Sequence, residues 1–153
     1  MKMTHSGVCV IGDLVCMGCC GRDYTSREEV EAGIETNTRE YNNLMDRKSF
    51  RDRTDSRYLR YCGICKNLIY ADQKKDRVVC PLHPAFNGKD DSEDLREGHC
   101  DVKYLCKAAQ LFNTWDDPTR KRFIAFIESK KLDWYDFSMG MDDDTLIEEF
   151  LRN

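Results

Sequence analysis

The chain has 153 residues, enough for one compact domain with a modest core, and 41% of them are apolar against 34% charged. Three prolines, nine glycines and the absence of any repeat argue against a disordered or low-complexity protein. A net charge of −4 speaks against binding to nucleic acid through the overall field.

At the amino terminus a short apolar run, residues 8–11, is broken by Gly12 and Asp13. It is too short and too polar for a signal-peptide core or a membrane span. Leu14, Val15 and Cys16 echo a lipoprotein box, but Val15 is too bulky before the cleavage point. A start at Met17 would echo an acylation signal, yet Arg22 stands where Ser or Thr is wanted. We therefore expect a cytoplasmic protein with no membrane association and with reduced cysteines, in which metal ligation outranks disulfides.

Residues 1–24 read as irregular structure around Cys16, Cys19 and Cys20. Ser26 and Glu29 then form a capping box for a helix of about five turns. Its apolar face is Val30, Ile34, Tyr41, Leu44 and Met45, with Asn37 and Thr38 filling the gap. Residues 47–60, rich in Arg and Asp, either extend that helix or form a solvated connection. Cys62 and Cys65 flank Gly63, which suits the tight turn of a metal knuckle. Leu68 to Ala71 reads as a strand, Asp72 to Asp76 as a polar turn, and Arg77 to Cys80 as a returning strand. Residues 87–98, with acidic residues from 90 to 94, read as an exposed loop. Asp101 is expected to cap a helix with the face Val102, Leu105, Cys106, Ala109 and Phe112. A further helix is capped by Asp117 with Pro118 at its first position, and a last one begins at Asp142 or Asp143. Trp115, Trp134, Tyr135 and Phe137 are placed between these helices. The fold class expected is α+β: a small zinc-ribbon-like β-hairpin and a cysteine-rich loop packed with about four helices. The chain is read as one compact domain with three consecutive parts, 1–61, 62–100 and 101–153.

Of nine cysteines and three histidines, all but Cys9 and His5 fall in three knots with ligand spacing. Two thiolate or imidazole donors two residues apart can bind one ion from a single turn of backbone, and two such pairs complete a tetrahedron. The middle knot, Cys62, Cys65, Cys80 and His83, has this pattern on a hairpin frame. In the first, Cys16, Cys19 and Cys20 need a further donor, supplied by Cys100 or Cys106. His99 is a ligand or a hydrogen-bond partner to a thiolate. Cys100 is expected to precede a helix start, which favours its thiolate form. Cys9 is left as the spare thiol, with His5 outside the set. The donors suit two zinc ions; three thiols within five residues also suit an iron–sulfur cluster.

On Cys16, Cys19 and Cys20 the chain resembles the bacterial and archaeal cysteine-cluster family of zinc- or iron-chelating proteins, whose pattern is Cys-x-x-Cys-x-x-Cys-Cys. Asp13 stands where that pattern has its first cysteine. Cys80, Cys100 and Cys106 resemble the downstream cysteines of the family. The resemblance covers about a third of the chain and implies metal chelation with no defined reaction.

The leading functional expectation is a structural-metal protein that acts as a binding or adaptor module for a protein partner. The alternative is an iron–sulfur or redox protein. A further alternative is nucleic-acid binding through Arg47, Lys48, Arg51, Arg53, Arg57 and Arg60, with Tyr58 and Tyr61 available for stacking. The interleaved Asp46, Asp52 and Asp55 weaken it. No catalytic constellation is recognisable: there is no His-Glu-x-x-His, no nucleophile elbow and no phosphate-binding glycine loop.

Overall fold

The computed structural model describes residues 7–12, 14–53, 59–83, 93–96, 100 and 104–153. The chain divides into two compact units, one made of Met1–Cys19 with Lys103–Asn153 and the other of Cys20–Val102. The first of these units joins both ends of the chain. The reason lies in burial: Val8 and Ile11, near the amino terminus, share a core with Phe112, Phe123 and Ile147.

The central unit is built on α1, Arg27–Leu44. Ser26 caps it as expected, accepting a hydrogen bond from the Glu29 N–H at 3.2 Å and donating its hydroxyl to Glu29 Oε1 at 3.2 Å. Val30 and Ile34 are fully buried. The expected apolar face stops short, because Leu44 and Met45 are 42% and 81% exposed. Met45 takes a left-handed conformation with φ 51°, which ends the helix and turns the chain away. Asp46 then caps a separate helix, α2, Arg47–Asp52, accepting from the Ser49 N–H at 2.8 Å. Its Phe50 is fully buried and meets Tyr41 edge-on at 5.2 Å. The expected hairpin is present as β3, Ile69–Tyr70, paired antiparallel with β4, Val78–Val79. Ile69 lies opposite Val79, and both pack with Phe50. Thr38 of α1 ties the hairpin down by accepting from the Tyr70 N–H at 3.0 Å.

In the terminal unit, residues expected to be irregular form a 3-10 turn, Gly7–Cys9, and a two-stranded hairpin. Its strands are β1, Val10–Ile11, and β2, Leu14–Val15. Gly12, with φ 60°, makes the tight turn a two-residue connection needs. Four helices follow: α3, Lys107–Thr114; α4, Asp117–Lys130; α5, Trp134–Asp142; and α6, Thr145–Arg152.

Their starts correct the sequence reading. Cys106 is the N-cap of α3, so Leu105 and Cys106 precede that helix; Asp101 and Val102 lie outside the described residues. Asp116 caps α4, accepting from the Thr119 N–H at 2.9 Å, which leaves Asp117 inside the helix. Asp142 closes α5 instead of opening α6, and the Asp143 carboxylate accepts from the Thr145 N–H at 3.0 Å. Helix α5 was not expected. Five of its nine residues, Trp134, Phe137, Ser138, Gly140 and Met141, are buried, which blurs the amphipathic period. Phe123 is fully buried and stands 5.0 Å from Phe150, edge to face. Burial of a side chain of that size stabilises by about 2–3 kcal/mol.

No helix among the described residues is long and apolar enough to cross a membrane.

Candidate metal centres

Among the described residues, no three His, Cys, Asp or Glu side chains stand close enough together to hold a metal ion. The backbone nevertheless sorts the cysteines into two neighbourhoods, one in each unit, and the sorting differs from the sequence reading. His5, Arg57, Tyr58 and His99 lie outside the described residues.

In the central unit, Gly21 and Ile64 form an antiparallel bridge. Cys20 and Cys65 are the next opposed pair in that register, and the Cys65 N–H donates to the Cys20 carbonyl at 2.9 Å. Directly opposed residues of an antiparallel pair present their side chains on one face, with Cβ atoms about 5 Å apart. The turn that starts at Cys80 lies nearby. Burial pushes the Cys80 thiol up to about 12, and the negative charge that Cys65 and Cys100 would carry pushes in the same direction. The Leu82 and His83 N–H groups pull against them. Burial likewise raises Cys65, against the Asn67 N–H, which reaches its Sγ at 3.5 Å, and against the charge of Arg53.

Cys62 sits deeper in the unit. It is 1% exposed, and a Cβ built on Gly33 would lie 3.1 Å from its Sγ, so the thiol packs against α1. His83 donates its backbone N–H to the Cys80 carbonyl at 3.1 Å. Its charge acts on Asp94, which the Arg96 hydrogen bond holds below the ordinary carboxylate range. The Arg96 guanidinium pairs with Asp94 at 2.9 Å. Burial opposes its charge, but Asp94, Cys100 and Cys80 together raise its pKa.

A polar clamp from α1 holds the Cys65 turn. Asn37 is fully buried, and its Nδ2 donates to the Cys65 carbonyl at 3.0 Å and the Leu68 carbonyl at 2.9 Å. Its Oδ1 accepts from Arg60 Nε at 2.6 Å. Arg53 donates to Glu40 at 2.7 Å, to the Phe50 carbonyl at 2.9 Å, to Asn67 at 3.2 Å and to the Lys66 carbonyl. Arg60 joins Glu40 at 3.1 Å. The sequence reading treated Asn37 as a gap in an apolar stripe. A polar residue at that position of the helical period was the available signal for a buried hydrogen-bonding role.

The same network fixes most of the basic stretch. Arg47 donates to the carbonyls of Pro81, His83 and Glu93, Arg51 pairs with Asp52 at 2.8 Å, and Lys48 lies 3.6 Å from Glu93. Arg53 has only 8% of its side chain exposed. Arg53 and Arg47 are thereby drawn inward, where they brace the turns that carry Cys65 and Cys80.

Burial opposes the charge of Glu40, but Arg53 and Arg60 outweigh it and hold the carboxyl below its ordinary value. A depressed carboxyl stabilises the fold above its unfolded value of about 4.3, and the contribution is lost as pH falls through the lower folded value. Glu40→Gln is therefore expected to lower stability at neutral pH by about 1 kcal/mol, since the carboxylate is partly solvated. It should also flatten the loss of stability below about pH 4, read as urea midpoints across pH. An unchanged acid limb would exclude Glu40 as its source.

In the terminal unit, the β1–β2 register places Val10 opposite Val15. Cys9 and Cys16 are the next opposed pair, and the Cys16 N–H donates to the Cys9 carbonyl at 2.9 Å. The turn after Cys16 is fixed on α5. The Met17 N–H donates to Ser138 Oγ at 2.9 Å, and a Cβ on Gly18 would come within 2.6 Å of the Ser138 carbonyl oxygen. The Gly18 N–H donates to Cys16 Sγ at 3.4 Å. Burial pushes the Cys16 thiol far up, the Gly18 N–H opposes it, and Cys19, Cys9 and Cys106 each raise it further. Cys106, at the start of α3, is raised by burial and by Cys19, against the Ala109 and Ala108 N–H groups.

These features define an α+β protein with one cysteine neighbourhood in each unit. No family model, curated protein or solved structure matches the chain.

Proposed function

We propose that the protein is a structural zinc protein that serves as a binding or adaptor module. The observation that carries this reading is the grouping in the central unit: Cys20 opposite Cys65, with Cys80 and Cys100 within electrostatic reach of each other. All four donors are thiols, the set suited to a closed tetrahedral zinc site. The hairpin beside Cys80 makes the frame zinc-ribbon-like, with Cys20 and Cys100 taking the places first given to Cys62 and His83. Burial and mutual repulsion oppose thiolate formation in such a group. A divalent cation reverses that balance by replacing the protons.

A closed site leaves no open coordination position, which favours a structural role over catalysis. The terminal unit presents Asp116, Asp117, Glu128, Asp133, Asp136 and Glu148 to solvent, so a protein partner with a basic surface fits better than nucleic acid. The resemblance to the cysteine-cluster family and a cytoplasmic setting belong to the same proposal. An all-thiol donor set also suits an iron–sulfur centre, and the same experiment separates the two.

The test is metal content after anaerobic purification. About two zinc ions per colourless chain are expected, together with a fall in Tm of more than about 10 °C on chelation. Iron with labile sulfide and a broad band near roughly 400 nm would replace zinc by a cluster. A chain that retains no metal and is indifferent to chelators would end the proposal.

A further inference from the structure

Cys9 belongs to no Cys-x-x-Cys or Cys-x-x-His pair in the sequence, and by spacing alone it is the spare thiol. The fold sets it beside Cys16, and Cys16 has Cys19 and Cys106 within electrostatic reach as well. The β1–β2 hairpin sets it opposite Cys16, joined by the hydrogen bond from the Cys16 N–H to the Cys9 carbonyl. The 3-10 turn that carries Cys9 buries Val8 completely against Ala108, Ala109 and Phe112 of α3. Cys16 and Cys106 pack on the edge of that same cluster. Cys19 follows Cys16 across a turn bolted to α5 through Met17 and Ser138. All four residues therefore belong to elements of one unit. Cys20, adjacent to Cys19, pairs by its backbone with Cys65 of the other unit.

We propose that Cys9, Cys16, Cys19 and Cys106 form a second, independent four-thiolate zinc site that fastens the amino-terminal hairpin to the start of α3. This deepens the zinc reading and rests on it. The backbone already groups the four residues, and the thiols converge by turning between staggered χ1 positions. Zinc replaces the four thiol protons, which pass to solvent, with no change of oxidation state. Each of Cys16 and Cys106 keeps N–H groups directed at its sulfur, from Gly18 and from Ala108 and Ala109. Such groups stabilise bound thiolate. Eight of the nine cysteines then divide four and four, and the spare is Cys62, packed on α1.

The test compares zinc per chain in the full-length protein and its Cys9→Ser, Cys9→His, Cys106→Ser and Cys62→Ser variants. About two ions are expected in the parent and in Cys62→Ser, and about one in Cys9→Ser and Cys106→Ser. Cys9→His, which restores a donor, should return to about two. Cys9→Ser retaining two ions, or Cys62→Ser losing one, would overturn the assignment while leaving the zinc reading intact. A parent chain without zinc would overturn both. Alkylation of the zinc-loaded parent, mapped by peptide mass, needs no variant to fold. Partly buried Cys9 should resist modification until zinc is removed, and rapid labelling with zinc still bound would overturn the proposal.

Discussion

Replacing Asn37 with leucine is expected to destabilise the central unit by about 3–5 kcal/mol, although leucine has nearly the same volume. The cost comes from the groups left behind. The carbonyls of Cys65 and Leu68 would lose their donor inside the core, and Arg60 Nε would lose its acceptor. Each buried polar group left unsatisfied costs about 1–3 kcal/mol, and more when it is charged. Against a total stability of about 5–15 kcal/mol, that loss is large. The turn that presents Cys65 would also lose its anchor on α1. The measurement is a urea midpoint at constant m-value, with zinc content read in parallel. A loss below about 1 kcal/mol would show that the carbonyls find other partners and that Asn37 is not the clamp.

Gly63→Ala is expected to cost about 3–5 kcal/mol through a different route. Gly63 has φ 97°, a conformation that side chains with a Cβ rarely adopt. A Cβ there would also stand 2.3 Å from the Arg22 carbonyl oxygen and 3.0 Å from the Tyr24 Cα. Both are backbone atoms, so no side chain can swing aside. The overlap would push apart the two segments joined by the Arg22 N–H bond to the Gly63 carbonyl at 3.0 Å. Gly21 faces the same segment, and a Cβ on it would lie 2.2 Å from the Gly63 oxygen. Separation of these segments would carry Cys20 away from Cys65. The same urea midpoint, with the metal content of the variant measured beside it, reads the effect. A stable variant with unchanged zinc would mean that the segments can slide apart without harm.

The two residues mark different kinds of legibility. Gly63 could be read from the sequence, because a glycine inside a Cys-x-x-Cys turn signals a backbone demand local to four residues. Asn37 could not, because its partners lie 28 and 31 residues further along the chain. The same divide runs through the helices. Ser26 with Glu29 announced α1, since a cap is a hydrogen bond between near neighbours. Helix α5 stayed hidden because burial on several sides erased its period. Leu44 and Met45 continued the apolar spacing of α1, yet a left-handed turn at Met45 put both into solvent.

The cysteines follow the same rule. Sequence by itself determined that eight of nine thiols lie in knots with ligand spacing, that a hairpin returns to Cys80, and that the chain is a mixture of helices and small sheets. Only the tertiary structure decided which thiols are neighbours. Cys19 and Cys20 are adjacent in sequence, but the two residues fall in different units. Cys9 and Cys106 stand far apart in the sequence and meet the same core through Val8 and α3. Spacing constrains donors that share a turn of backbone. Strand register and core burial bring together donors that do not, and neither is encoded within any window short enough to read by eye.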